Sequence, residues 1–439
     1  MLIRDRKKTI LFLLTLEMLS FSKEISYEAL KISATEHSHW LKLRTIDTSI
    51  EKTRLDSVYS GLYPQLSLGY SGEYNKNLDQ TTSGSISVGG TTINSAVRNK
   101  DSLALSLNYE LYHFGTTLKQ IEISKKEIAF KKLEVCNEEN KLFREILDLY
   151  ATAQKAQSEQ NYKAQMHALR QELYTLKQRL YAAGKESRVS VGDEAIRLIE
   201  LERDIERAQM SYEENLIALT KLSHIDLDLK STQLLPLGTK AKDIHIGSFE
   251  ESSQARQYRD KIDQKNTEIS LNIRTQLPVL SLYSNYYLYG SDMHNAYNAF
   301  EDMKPNSWNA GLSLRWNLFE GFKYNSESAR LHFERDRLNE EYALAKREFD
   351  AQTQISQQKI DRLTQLQKNN VLIVNESRSK IAMIKRLREH GEADAVSEVS
   401  VKLETLEREL TLESERIQHA YEAEALKLQH RGAEECTPR

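Results

Sequence analysis

The chain has 439 residues, 39% of them hydrophobic and 28% charged, with a net charge of −3 and a mean hydropathy of −0.60. No apolar run approaches the roughly 20 residues that a membrane-spanning helix needs, which excludes a polytopic helical membrane protein, and the near-neutral charge leaves no nucleic-acid footprint. Glycine (16) and proline (5) are scarce, which favours long uninterrupted helices over a loop-rich fold.

Residues 1–22 read as a secretory signal peptide. Arg4, Arg6, Lys7 and Lys8 precede an apolar stretch at 9–21, and Ser20 and Ser22 supply the small residues of a cleavage site before Lys23. A helix is expected over about Ser26–Ser60. A strand follows at 64–76, where Leu66, Leu68, Tyr70 and Tyr74 alternate with Ser67, Gly69, Ser71, Glu73 and Asn75. Asp79–Lys100 is rich in Gly, Ser and Thr and reads as a loop. A second strand at 102–112 alternates Leu103, Leu105, Leu107, Tyr109 and Leu111 with Ser102, Ala104, Ser106, Asn108 and Glu110.

From Thr116 to Gly184 there is no proline and no interior glycine. Ile121, Ile128, Val135, Leu142 and Leu149 recur every seven residues, the seam of a coiled coil on a helix about 100 Å long. A hairpin tip at 182–190 leads to a helix over about Val189–Leu222. Residues 223–248, with Pro236 and Gly238, read as a linker at the middle of the rod.

The same order then returns: a helix over about Phe249–Thr275, strands at 278–289 and 308–319, a long helix over about Lys323–Gly391, a tip at 389–397 and a helix over about Val396–His430. A polar tail occupies 432–439. Leu105-Ser106-Leu107 and Leu312-Ser313-Leu314 lie 207 positions apart, as do Gly184 and Gly391. The chain is thus a tandem duplication, with repeats at 23–222 and 249–431.

Each strand has about ten residues, the length of a tilted membrane-crossing strand, with aromatics toward its ends. The alternation alone suits equally a sheet packed on a soluble core. Four strands cannot close a barrel, so membrane insertion requires a barrel shared between copies, eight-stranded in a dimer or twelve-stranded in a trimer. Asn108, Glu110, Arg315 and Asn317 would suit a wet lumen. The expected fold class is an α+β membrane protein of long helical hairpins and barrel strands. A secreted coiled-coil protein with a soluble β cap is the rival reading, and a stand-alone nutrient porin is disfavoured by the helical bulk.

The 11 histidines are scattered without metal-ligand spacing, and no phosphate-binding or nucleophile-elbow motif occurs, so no catalytic, cofactor or metal residues and no enzymatic activity are expected. Cys136 falls on a long helix and Cys436 in the polar tail. An oxidising compartment permits a bond between them, but their placement favours separate thiols.

The duplicated layout, the strand-to-helix junctions Leu111-Tyr-His-Phe-Gly115 and Leu318-Phe-Glu-Gly-Phe322, and the tips at Leu180–Gly184 and Leu387–Gly391 resemble the TolC-like outer-membrane efflux protein family. The resemblance implies a homotrimer in the outer membrane of a Gram-negative bacterium. It would have one 12-stranded barrel in outer-membrane lipid and one helical tunnel across the periplasm, and would serve as a passive exit duct for efflux or type I secretion. It further implies that Gly184, Lys185, Ser187, Gly391, Glu392 and Asp394 dock a periplasmic adaptor, with an inner-membrane RND or ABC transporter supplying energy. The family often closes its mouth with acidic residues six and nine positions after the second tip glycine. Those positions hold Ser397 and Ser400 here. Asp193, Asp394 and Glu398 are the acids that stand as aperture candidates beside them.

Overall fold

The computed structural model describes residues 23–75, 86–88, 91–93, 99–229, 231–238, 246–432, 434 and 436. The expected signal peptide and most of the expected 79–100 loop lie outside them. In chain order the elements are β1 (Lys23–Ile25), α1 (Tyr27–His37), α2 (His39–Tyr59), β2 (Gln65–Tyr74), β3 (Ile86–Val88), β4 (Thr91–Ile93), β5 (Asn99–Tyr112), α3 (Thr116–Ala182) and α4 (Arg188–Ser223). The second half contains β6 (Thr232–Leu234), α5 (Ser253–Arg274), β7 (Val279–Asp292), α6 (Ala296–Glu301), β8 (Lys304–Arg315), α7 (Lys323–Glu389) and α8 (Ala395–Gln429). Helices α3 and α7 have 67 residues each. At 1.5 Å per residue each is about 100 Å long. No described helix is both long and apolar enough to cross a membrane.

The chain divides into two compact units. One comprises Asp47–Lys131 and Tyr258–Glu341 and holds an antiparallel sheet in the order β2-β5-β7-β8. Pairing opposite residues fixes which side chains share a face. Leu66 faces Leu107, Leu68 faces Leu105, Leu105 faces Tyr286, and Tyr286 faces Trp308. Leu282 with Leu312 and Leu280 with Leu314 complete an apolar face. The opposite face carries Ser67, Ser106, Asn108, Ser281, Asn285, Asn309 and Ser313. Asn285 there donates to Asn309 at 3.0 Å. Leu66, Leu68, Leu312 and Leu314 are each about two-thirds exposed. The outer edges of β2 and β8 pair with no other described strand.

Element bounds depart from the sequence pattern, which ends β7 at 289 and starts β8 at 308, where the structure has Asp292 and Lys304. The pattern gives a loop over 79–100, whereas β3 and β4 pair antiparallel within it, and β5 begins at Asn99. The pattern carries the last strand to 319, whereas β8 ends at Arg315. There Trp316 Nε1 donates to the Gln276 carbonyl at 2.9 Å and Asn317 donates to Glu320 at 2.7 Å, so these side chains serve the turn into α7. The pattern also gives one helix over 26–60. The structure breaks it at Ser38 (φ −57°, ψ 120°), whose hydroxyl accepts from Leu41 N and starts α2.

Turns into the long helices use left-handed backbone at paired positions. Phe114 (φ 49°) and Gly115 (φ 74°) precede α3, and Gly321 (φ 60°) and Phe322 (φ 63°) precede α7. Each junction therefore holds one phenylalanine in a conformation that costs an L-residue about 1 kcal/mol or more. Arg274 secures the first by donating to the Phe114 carbonyl at 2.9 Å.

The other unit comprises residues up to Ile46, Lys132–Gln257 and Tyr342–Arg439. Its core gathers Leu30 of α1, Ile146, Leu147 and Tyr150 of α3, and Leu216 and Leu219 of α4, all fully buried. Strand β1 runs parallel to β6. Three tyrosines fasten this two-stranded clip and its flanking helix to the long helices. Tyr150 donates to the Ile25 and Leu235 carbonyls at 3.0 and 2.5 Å, Tyr212 to Thr232 at 2.7 Å, and Tyr27 to Phe143 at 3.0 Å. Burial pushes the Tyr212 hydroxyl up to about 12 and the other two higher, so all three remain protonated donors.

The expectation of separate thiols is overturned. Cys136 and Cys436 form a disulfide with a Cα–Cα distance of 5.5 Å across 300 positions of sequence. The segment after α8 folds back onto α3, where Arg431 pairs with buried Glu139 at 3.0 Å and donates to Asn140 at 2.8 Å, which brings Cys436 into reach.

Candidate functional site: the paired hairpin tips

Both helical hairpins end in the same local construction. At the first tip Gly184 is left-handed (φ 71°). Lys185 N donates to Leu180 O at 2.8 Å and Gly184 N to Tyr181 O at 2.9 Å. At the second, Gly391 (φ 77°), Glu392 N to Leu387 O at 2.8 Å and Gly391 N to Arg388 O at 3.0 Å repeat it. This pair of bonds satisfies the last carbonyls of a helix, and glycine fits because its backbone must turn left-handed. The returning helices are capped alike: Ser187 accepts from Ser190 N at 3.1 Å, and Asp394 accepts from Ser397 N at 2.7 Å. The Ser397 hydroxyl, and then that backbone bond, hold the Asp394 carboxyl below its ordinary value. The expected docking residues Gly184, Lys185, Ser187, Gly391, Glu392 and Asp394 are all exposed.

An apolar seam joins the two hairpins near these ends. Met166 and Leu173 of α3 pack with Val399 and Leu403 of α8. Each hairpin also carries a buried glutamate bound by two cations. Glu194 of α4 accepts from Arg170 at 2.9 Å and Lys177 at 3.1 Å, both on α3, and Arg170 also reaches Glu407 of α8 at 3.9 Å. Glu398 of α8 pairs with Lys402 at 2.6 Å and Arg388 of α7 at 2.5 Å. Glu194, whose two cations are themselves mostly covered, would cost about 3–5 kcal/mol if left without them.

The aperture candidates therefore occupy different positions. Asp193, Ser397 and Ser400 are exposed, while Glu398 is buried in its ion pair and Asp394 caps α8. Ser400 donates its hydroxyl to Val396 O at 2.8 Å. The Glu398–Lys402 pairing was available from i,i+4 spacing. The Arg170–Glu194–Lys177 cluster had no sequence signal, because it depends on how two helices register across a turn.

Among the lumen candidates, Asn108, Glu110 and Arg315 lie on the polar face of the sheet, whereas Asn317 lies beyond β8. No group of three or more His, Cys, Asp or Glu among the described residues is placed to hold a metal ion.

Lys402 and then Arg388 hold the Glu398 carboxyl below its ordinary value of 4.5. A carboxyl whose folded pKa is lowered stabilises above its unfolded value and loses that contribution as pH falls through the folded one. Exchange at the start of α8, corrected for intrinsic rates, is expected to stay constant from pH 7 to about 5 and to rise only below about 4.5. Opening that begins near neutral pH would contradict this lock.

Residues 52–223 match the outer membrane efflux protein family. The fold is similar to that of CusC (TM-score 0.77, 14% identity, covering 94% of this chain and 93% of that one). It is also similar to the Campylobacter jejuni outer membrane channel CmeC (0.75, 15%, 92% and 84%) and the Vibrio cholerae outer membrane protein VceC (0.72, 14%, 91% and 96%). No curated protein sequence matches. The first repeat thus matches the outer membrane efflux protein family, and the chain shares its fold with solved outer membrane channels.

Proposed function

We propose that this chain is the exit duct of a tripartite efflux pump or type I secretion system in the outer membrane of a Gram-negative bacterium. Three copies close one 12-stranded barrel and one helical tunnel. The tips meet a periplasmic adaptor, and an RND or ABC transporter of the inner membrane supplies the energy. The chain itself is a passive conduit, exported by the leader at 1–22.

The observation that carries this reading is the sheet. It combines two edges that pair with no other described strand and a face of exposed leucines that no described strand covers, on a chain otherwise built of long polar helices. An open edge cannot sit in hydrocarbon, so the strands must join those of other copies. A soluble β cap would leave the same leucines facing water, which disfavours the secreted-rod reading. Asn108, Glu110 and Arg315 then line the lumen, and Asp193, Ser397 and Ser400 stand nearest to an aperture role.

The tips supply the test. Lys185→Glu combined with Glu392→Lys reverses two exposed charges without touching the caps or buried ion pairs. Adaptor binding is expected to weaken about tenfold, and export to fall with it, while the trimer stays in the outer membrane. Unchanged export and adaptor binding would remove the tips from the docking surface.

A further inference from the structure

The connection between β7 and β8 does more than turn the chain. Helix α6 lies against β5 and β7 at the sheet end remote from the left-handed junctions. Gly290 marks the contact: a Cβ there would collide with the Ala299 carbonyl oxygen, and Ala299 is fully buried. Opposite Gly290 is Asp101, only 4% exposed, and Tyr70 donates to its carboxylate at 2.7 Å. Asn99, also buried, donates to Asp292 O at 3.3 Å.

The register places these groups on the apolar face. Tyr70 opposes Leu103 and Gly72 opposes Asp101, so Asp101 continues the row of Leu107, Leu105 and Leu103. The loop thus folds over the outward side of the sheet, not over the polar side. Strands β5 and β7 have 14 residues each, more than the roughly 9–11 that cross a bilayer. Their surplus carries the polar groups, and α6 shields a carboxylate that lipid would penalise by several kcal/mol. On its own outer side the loop presents Met293, Tyr297 and Phe300, which are 41%, 68% and 52% exposed, and Phe300 meets the Tyr70 ring at 6.0 Å.

We propose that α6 is an interfacial lipid anchor, with Met293, Tyr297 and Phe300 seated in lipid where the apolar band of the sheet ends. Two observations select lipid over a neighbouring copy. The loop surface is continuous, through Phe300 and Tyr70, with the leucine face that meets the membrane. It also lies over the inner strands β5 and β7, away from the edges where other copies pair. Exposed aromatics with a polar neighbour such as Lys304 suit a membrane interface. This inference rests on the barrel reading above.

The test uses the full-length protein reconstituted in phosphatidylcholine vesicles brominated either near the headgroup end of the acyl chains, which reports on 297 and 300, or deeper along them, which reports on 68. Tyr297→Trp, Phe300→Trp and, as a band control, Leu68→Trp are compared with the parent. All three positions are exposed, so the fold tolerates the change. The added Trp at 297 and at 300 is expected to lose about half its emission to bromolipid, as at 68, and to resist aqueous acrylamide. Quenching at 68 with acrylamide-only quenching at 297 and 300 would place the loop in water and overturn the anchor while leaving the barrel intact. Quenching at 297 and 300 by neither agent would mean that another copy covers the loop, which also overturns it. No bromolipid quenching at 68 would remove the barrel reading and the anchor with it.

Discussion

Leu68→Arg, Leu105→Arg and Leu312→Arg are each expected to destabilise the membrane-inserted protein by about 2–4 kcal/mol per chain, the cost of a lipid-facing arginine near the bilayer midplane. A trimer bears that cost three times. Ser67→Arg, Ser106→Arg and Ser313→Arg lie one position away on the same strands and face the polar side. They are expected to leave assembly intact and alter only what passes. The readout is the yield of folded trimer in the outer membrane and its resistance to denaturant. The contrast is sharp because register fixes it: a one-residue step moves the side chain to the other face. Equal tolerance on both faces would mean that neither meets lipid.

The second large effect belongs to the disulfide. Cys136–Cys436 closes a loop of 300 positions, so in the chain-entropy account its contribution lies at the upper end of the usual range, about 2–5 kcal/mol. Cys436→Ser, or mild reduction, is expected to lower the unfolding free energy of the unit containing α1, α4 and α8 by that amount, read as a lower urea midpoint at unchanged slope. The Arg431–Glu139 pair and the Arg431–Asn140 hydrogen bond hold part of the segment in place, so loosening should begin after Gly432 and not in α8 itself. Export to an oxidising compartment is what lets the bond form. Two alkylatable thiols in folded protein isolated without reductant would contradict this prediction.

The sequence was legible where periodicity reports burial directly. Alternating Leu and Ser across 103–107 and 312–314 marked strands and their faces, and glycine at 184 and 391 marked the tips. The 207-residue offset returns in the structure as two 67-residue helices, one starting at Thr116 and the other at Lys323. The parts that stayed hidden depend on contacts far apart in sequence. Nothing in the spacing of Cys136 and Cys436 announces a bond, because the contact of the tail with α3 spans 300 positions of sequence. Tyr27, Tyr150 and Tyr212 look like ordinary core aromatics, and their hydroxyls find backbone carbonyls of β1, β6 and α3 that only the fold brings near. Glu194 resembles any surface glutamate of a charged helix until Arg170 and Lys177 of α3 close over it. Helix α6 has six residues, too few for a periodic signal, and its role comes from lying over Gly290. At the mouth, the resemblance pointed to Ser397 and Ser400 by position, while the nearby acids divide into a cap, a buried ion pair and an exposed Asp193.

Edge pairing between copies is the step on which the duct depends, since β2 and β8 end the sheet with edges that pair with no other described strand. The direct measurement is chemical cross-linking of the protein in isolated outer membranes, followed by mass determination in mild detergent. A ladder that stops at three chains, in protein released only by detergent, is the predicted result. A monomer, or an assembly recovered in the periplasm or medium without detergent, would contradict the account.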